Sequence, residues 1–124
     1  MNTQALVDTA QALVAGDRGL LAMDESTPTC NRRFAKLGIP QTVEMRRAYR
    51  DMIVTTPRLG ECISGAILYD ETIRQQTFAG KPFAQALQAA NIIPGIKVDA
   101  GAKPLAGHPN EQVTEGLDSL RERL

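Results

Sequence analysis

The chain has 124 residues, of which 43% are hydrophobic and 23% are charged, so it carries enough apolar side chain to build one core. Its 14 Lys and Arg residues balance its 14 Asp and Glu residues, and no block of like charges is present to attract nucleic acid or a lipid surface. This composition excludes disordered and fibrous proteins and leaves a globular one.

The first predicted elements are a helix over residues 3–15 and a strand over residues 19–23. Gly16 follows the helix and is typical of a helix end. The helix is predicted from apolar residues that recur at the spacing of one face, namely Leu6, Ala10, Leu13 and Val14. The strand is short, apolar and uncharged, which fits burial on both faces, although its Leu and Ala content alone does not exclude a helix.

Two helices are predicted next. The first is brief, runs to Leu37 and is closed by Gly38. The second begins near Thr42, and Pro57 and Gly60 indicate its end. Its apolar stripe is expected to consist of Met45, Tyr49, Met52 and Ile53.

The alternation of strand and helix then repeats. Residues 63–69 form a second apolar run that stops at Asp70, and residues 82–90 are predicted to be a helix with Phe83 and Leu87 on one side. A third run covers residues 92–98 and stops at Asp99. Since Pro94 has no N–H to donate, the paired part of this strand is expected to begin at Gly95.

A last helix is predicted over residues 115–124. It is inferred from leucines that share one helical face, namely Leu117, Leu120 and Leu124.

Alternating buried strands and helices indicate an α/β fold with a parallel sheet, either doubly wound or closed into a barrel. Each of the three strands runs into an aspartate, namely Asp24, Asp70 and Asp99. In such folds the chemistry gathers at the carboxyl ends of the strands. An acid at that position is also a common helix N-cap, and for Asp70 alone we favour that interpretation.

The two cysteines, Cys30 and Cys62, do not form a spaced framework, so they are predicted to be free thiols in a reducing compartment, by default the cytoplasm. The N-terminal residues lack a basic region followed by an apolar run, and no apolar stretch approaches the ~20 residues of a membrane helix. We therefore expect no nucleic-acid or membrane partner, and no metal site.

Four segments carry a family resemblance: residues 19–27 (GLLAMDEST), 63–68 (ISGAIL), 94–99 (PGIKVD) and 115–118 (EGLD). In their order and separation they resemble the class I fructose-bisphosphate aldolases, and the form of the first segment is similar to the plastid and bacterial branch. The resemblance runs over nearly the whole chain from about Gly16 onward.

The resemblance implies a (β/α)₈ barrel, of which residues 1–124 form the N-terminal part, about three strand-helix units in one partial domain without an internal boundary. It implies cleavage of fructose 1,6-bisphosphate to glycerone phosphate and glyceraldehyde 3-phosphate through a Schiff base with a lysine, without a cofactor. The parent protein is expected to be a homo-oligomer.

The resemblance also implies roles for five residues. Asp24 matches the family carboxylate that handles the proton of the C4 hydroxyl. Four residues match positions that bind the distal phosphate, namely Ser26, Thr29, Arg33 and Lys97.

Each phosphate-binding assignment has a plainer alternative. Ser26 and Thr29 are equally suited to cap the helix that follows them, and Arg33 to be a solvated helix residue. Lys97 lies between Ile96 and Val98, so alternation directs it into the barrel, where it needs a partner such as Asp99 or a substrate phosphate.

The resemblance places the imine-forming lysine on a later strand, beyond Leu124, so the 124 residues alone are expected to be inactive. One alternative is a non-catalytic module that binds sugar phosphates or pairs with aldolase subunits. A different lysine-dependent barrel enzyme that uses Lys97 as its nucleophile is the remaining alternative and ranks lowest.

Overall fold

The computed structural model describes residues 2–123, which alternate between helices and strands. The helices are α1 (Thr3–Leu13), α2 (Thr27–Lys36), α3 (Val43–Val54), α4 (Leu59–Cys62), α5 (Asp70–Ile73), α6 (Phe83–Ala89) and α7 (Leu120–Arg123). The strands are β1 (Gly19–Leu21), β2 (Ile63–Leu68), β3 (Ile93–Ile96), β4 (Gly101–Pro104) and β5 (Gln112–Glu115).

A parallel sheet of three strands in the order β1-β2-β3 organises the chain. Gly65 of β2 lies opposite Ile93 of β3, and Leu68 opposite Ile96, so the two strands end together. On its other edge β2 pairs with β1, with Ala66 opposite Leu21. Since helices connect these parallel strands, the predicted α/β fold with a parallel sheet is confirmed.

The hydrophobic core lies between the sheet and the helices α3 and α6. Phe83 and Leu87, one turn apart on α6, are fully buried, as their spacing predicts. The cluster consists of Met23, Val54, Ala66, Leu68, Phe83, Leu87 and Ile92.

The strand β1 is present where the sequence predicts it but is not buried on both faces. Leu20 is 55% exposed, and β1 forms an edge of the sheet. The apolar face of α1 is also open among the described residues: Leu6 is 55% exposed and Val14 74%. Ser64 ties this region to β2, since its hydroxyl donates to the carbonyl oxygen of Leu13 at 2.5 Å.

The apolar stripe predicted for α3 is only partly its buried face. Ile53 packs against the core and the Tyr49 ring contacts Phe34, but Met52 is 62% exposed. The residues of α3 that are buried are Arg46, Arg50 and Val54, each four positions after the last. Periodicity missed the two arginines because carboxylates of other elements hold them inside. The start of α3 is as predicted, with the Thr42 hydroxyl accepting the N–H of Met45 at 3.3 Å.

The pairing of β3 begins at Ile93 and not at Gly95, so that prediction was wrong. The backbone N–H of Lys97 donates to the carbonyl oxygen of Leu68 at 2.8 Å. The backbone nitrogens of the odd-numbered residues of β3 therefore point toward β2. The nitrogen of Pro94 therefore faces the other edge of the strand, where the ladder with β2 needs no N–H.

The helix predicted over residues 115–124 is largely absent. Glu115 ends β5, which forms an antiparallel hairpin with β4, and only α7 is helical in this region. Gly116 and Ser119 both have positive φ, which breaks a helix here, and Leu117 is 83% exposed. The third leucine of the predicted face, Leu124, lies outside the described residues.

Other predictions are confirmed. Gly38 follows α2 with a φ of +67°, as expected of a helix end, and Cys30 and Cys62 are free thiols. No helix within residues 2–123 has the length and apolar character needed to cross a membrane.

Candidate functional site

The site lies where the three parallel strands end. Because these ends meet at one edge of the sheet, the residues that follow β1, β2 and β3 are brought together there. A cavity of about 480 Å³ opens at this edge. Its lining is Ala22, Asp24, Glu25, Ile67, Ile96, Lys97, Val98 and Asp99.

Asp24 is buried, and each of its two carboxylate oxygens accepts a hydrogen bond. Oδ1 accepts from Nε of Arg50 at 2.9 Å, and Oδ2 accepts from the backbone N–H of Tyr69 at 2.5 Å. These donors belong to α3 and to the residue after β2. The first predicted site residue is therefore held by two other elements at the mouth of the sheet.

Arg50 belongs to a network of two arginines and two carboxylates. Its Nη1 contacts Oε1 of Glu71, and Arg46 binds the same carboxylate with two bonds, Nε to Oε1 at 2.9 Å and Nη2 to Oε2 at 2.8 Å. The hydrogen bonds from Arg46, followed by those from Arg50, lower the pKa of Glu71 from 4.5 to about 2.

Sequence reasoning missed Arg46, Arg50 and Glu71. The available signal was the four-residue spacing of the two arginines with Val54, which puts them on one face of α3. A buried arginine needs a partner, and the acids after β1 and β2 are the candidates that the fold offers.

Ser26, Thr29 and Arg33 lie on or beside the start of α2. Ser26 is the N-cap residue, but within the described chain its side chain caps no backbone N–H; its hydroxyl donates instead to Thr29 Oγ1 at 3.3 Å. Nη2 of Arg32 donates to the same Thr29 oxygen at 3.0 Å. Arg33 pairs with Glu25 at 2.6 Å, and Glu25 lines the cavity, so these polar groups adjoin the cavity without lining it.

Lys97 lines the same cavity as Asp24, but its neighbours Ile96 and Val98 line it too, so the predicted alternation of faces does not account for its place there. Its Nζ forms an ion pair with Asp99, so one of the two expected partners is present. The hydrogen bond from Lys97 lowers the pKa of Asp99 below its usual value.

Asp70 is not the N-cap that the sequence suggests. Tyr69 occupies that position, and Asp70 lies in the first turn of α5, where its carboxylate pairs with Arg74 at 2.9 Å. Of the three strand-end aspartates, Asp24 and Asp99 thus line the cavity of Lys97.

The described residues hold no group of three or more His, Cys, Asp or Glu side chains placed to bind a metal ion. Cys30 lies buried on α2, and burial raises the pKa of its thiol. The site is therefore one of ionic and hydroxyl side chains around a partly apolar cavity.

Comparisons with known proteins agree on one family. The family model "Glycolytic: Fructose-bisphosphate aldolase class-I" matches residues 5–124. A probable fructose-bisphosphate aldolase class 1 of Xanthomonas axonopodis pv. citri is 60% identical over 124 residues, which is 100% of this chain and 37% of that protein. Fructose-bisphosphate aldolase 3, chloroplastic, of Arabidopsis thaliana is 50% identical over 118 residues, 95% of this chain and 30% of that protein.

The fold comparison gives the same result. A crystal structure of fructose-bisphosphate aldolase from Plasmodium falciparum, in complex with TRAP and a small-molecule inhibitor, superposes with a TM-score of 0.90 at 47% identity. The match covers 97% of this chain and 35% of that chain. The 124 residues thus span about a third of the length of the relatives they match.

Proposed function

The chain belongs to the class I fructose-bisphosphate aldolases, and from this premise we propose that it is the N-terminal portion of an enzyme that cleaves fructose 1,6-bisphosphate to glycerone phosphate and glyceraldehyde 3-phosphate. The observation that carries the proposal is Asp24, a buried carboxylate fixed by two donors at the mouth of a parallel sheet, in one cavity with Lys97. This is where α/β enzymes place their reacting groups.

We propose that β1, β2 and β3 are the first three strands of a (β/α)₈ barrel. Three features support this: the strands are parallel, they are neighbours in chain order, and helices connect them. In this proposal residues 1–124 are one partial domain, and the barrel closes against the open edges of β1 and β3. The complete protein is proposed to be a homo-oligomer.

In the proposed mechanism a lysine outside these 124 residues forms an imine with the ketone carbon of the substrate. The protonated imine withdraws electrons, which eases cleavage of the C3–C4 bond. The C4 hydroxyl must lose its proton as that bond breaks, and the Asp24 carboxylate is the proposed acceptor. Its oxygens have lone pairs beyond those that Arg50 and Tyr69 occupy.

The proposed distal phosphate site uses Ser26, Thr29, Arg33 and Lys97. Hydroxyls and cations suit a phosphate dianion, and all four residues lie on or beside the cavity of Asp24. Lys97 and Arg33 are each paired with a carboxylate, Asp99 and Glu25. A phosphate that binds here therefore shares the N–H donors of Lys97 and Arg33 with these carboxylates.

The proposal is tested in the full-length protein that contains these residues. Replacing Asp24 by Asn removes the proton acceptor, so we expect kcat for fructose 1,6-bisphosphate cleavage to fall by about 10²-fold or more. The control is Asp70→Asn, which changes another strand-end aspartate, 54% exposed and paired with Arg74, and should leave kcat unchanged. Equal activity in the Asp24 variant and the wild type would contradict the proposed role.

Lys97 offers a second check, because it is the lysine of the described cavity. If the imine forms elsewhere, Lys97→Met weakens substrate binding and raises KM, while borohydride trapping of substrate at saturation is undiminished. A complete loss of trapped adduct in the folded variant would instead favour Lys97 as the nucleophile.

A further inference from the structure

Arg50 is the fully buried cation at the proposed site. It is 0% exposed, and it reaches two carboxylates from two different strand ends, Asp24 after β1 and Glu71 after β2. A guanidinium has five N–H donors in a rigid planar fork, so these contacts fix its position more tightly than the point charge of a lysine would be fixed.

The charges around Arg50 are balanced without substrate. Arg46 and Arg50 carry two positive charges, and Asp24 and Glu71 carry two negative ones. Arg50 is fully buried and, unlike Asp24, does not line the cavity, so it is not placed to bind a substrate phosphate. Whatever it does in the reaction, it does through Asp24.

We propose that Arg50 is a positioning residue of the aldolase reaction, which holds the Asp24 carboxylate in the orientation that accepts the C4 hydroxyl proton. The inference rests on the proposed function. The bond from Arg50 Nε to Asp24 Oδ1 and the bond from Tyr69 N–H to Asp24 Oδ2 act on opposite oxygens, so together they stop rotation of the carboxylate about its terminal torsion.

Orientation matters here because proton acceptance demands a short and aligned approach. A misplacement of about 1 Å in a reacting group can cost 10²-fold in rate. Asp24 has one donor from the backbone, the N–H of Tyr69, and one from a side chain, Arg50, which a substitution removes. Removing Arg50 leaves Oδ1 without this donor and the carboxylate free to turn about its remaining bond.

Arg50 is held in place in turn by Glu71, which Arg46 also contacts. Glu71 receives Nη1 of Arg50 and both Nε and Nη2 of Arg46, so it links two successive turns of α3 to the start of α5. Arg46 is anchored in turn, since its Nη1 donates to Oδ1 of Asn31 on α2 at 3.0 Å. The orientation of Asp24 thus depends on how α2, α3 and α5 pack.

The test uses the full-length protein with Arg50→Lys and Arg50→Met, and Arg47→Met as the matched control. Arg47 is on the same helix, but its Nε and Nη2 donate to the backbone carbonyls of Gln76 and Thr77, away from Asp24. We expect kcat to fall by about 10²-fold in both Arg50 variants with KM changed far less, and to be retained in the Arg47 variant. Arg50→Lys keeps the charge, so it also serves if Arg50→Met does not fold.

A double-mutant cycle separates positioning from structural support. In the Asp24→Asn background, Arg50→Lys should lower kcat by no more than about twofold, because its effect passes through the carboxylate already lost. Independent, multiplicative losses would overturn the proposal, and so would a normal kcat in folded Arg50→Lys. A wild-type protein that cleaves no fructose 1,6-bisphosphate would instead overturn the proposed function, and the inference with it.

Discussion

Glu71 shows at the residue scale how this site tolerates buried charge. Its side chain is 23% exposed and accepts from two arginines of which one is completely buried. Taking such groups out of water is costly, and the cost is offset only when each charge is paired and hydrogen-bonded. The network pairs each of its charges, through the bidentate bonds of Arg46 and the contacts of Arg50, and leaves Nη2 of Arg50 as a buried donor without a partner among the described residues.

The pKa of Glu71 predicts an acid-sensitive contribution to stability. Since folding lowers this pKa from 4.5 to about 2, the stabilisation is complete above about pH 4.5 and is lost as the pH falls toward 2. At neutral pH it amounts to roughly 3 kcal/mol. Urea unfolding of the full-length wild type and its Glu71→Gln variant should therefore show a stability difference that shrinks between pH 5 and pH 2.

The control for this measurement is Glu61→Gln. Glu61 forms an exposed pair with Arg58, and its own pKa is lowered by that hydrogen bond, but water screens the pair. Its stability difference from wild type should be small at every pH. A Glu71 difference that stays constant from neutral to acid pH would show that the lowered pKa does not stabilise the fold.

At the scale of elements, two helices begin in different ways. Thr42 caps α3 with its side chain, whereas the Ser26 hydroxyl at the N-cap of α2 bonds to Thr29. Thr42→Ala should cost about 1 kcal/mol of unfolding free energy, because it leaves the N–H of Met45 without this acceptor. Ser26→Ala should cost clearly less in the same urea titration; equal losses would mean that capping does not explain the effect.

The elements that could be predicted from sequence are those with a local signal. Spacing and end residues located α1, α2, α6, β2 and the start of α3. The buried face of α3 could not be predicted in this way, because what lies against Arg50 is set by Asp24 and Glu71, 26 and 21 residues away. The hairpin of β4 and β5 was not predicted for the same kind of reason, since it depends on the pairing of residues 101–104 with residues 112–115.

The candidate site also has a part that could be predicted from the sequence and a part that could not. Asp24 could be placed at a strand end and Lys97 on the third strand from the sequence, and the structure brings both to one cavity. Two other contacts of the site depend on side-chain geometry at a turn, about which residue spacing carries no information. They are the hydrogen bond between Ser26 and Thr29 and the ion pair of Arg33 with Glu25.

At the scale of the whole molecule, the described chain has open surfaces. The edge strands β1 and β3 each have one neighbour in the parallel sheet, and α1 presents Leu6 and Val14 outward. Unpaired strand edges and apolar faces favour association. We therefore expect the 124 residues, expressed by themselves, to self-associate and to bind a hydrophobic dye more strongly than the full-length protein does.

Sedimentation and dye fluorescence check this expectation, and borohydride treatment with substrate should give no adduct on the 124-residue chain. A monomer that melts cooperatively and is stabilised by fructose 1,6-bisphosphate would contradict it. That result would support the alternative of a non-catalytic sugar-phosphate-binding module.

The hydrogen bonds that hold Asp24 have a consequence for synthesis of the protein. They join Asp24 to Arg50, 26 residues later, and to Tyr69, 45 residues later, and the last residue of the network is Glu71. In the proposed full-length aldolase, all of the groups that orient this carboxylate have therefore been synthesised while most of the polypeptide is still untranslated. The Asp24 carboxylate can thus be oriented before the proposed imine-forming lysine has been synthesised.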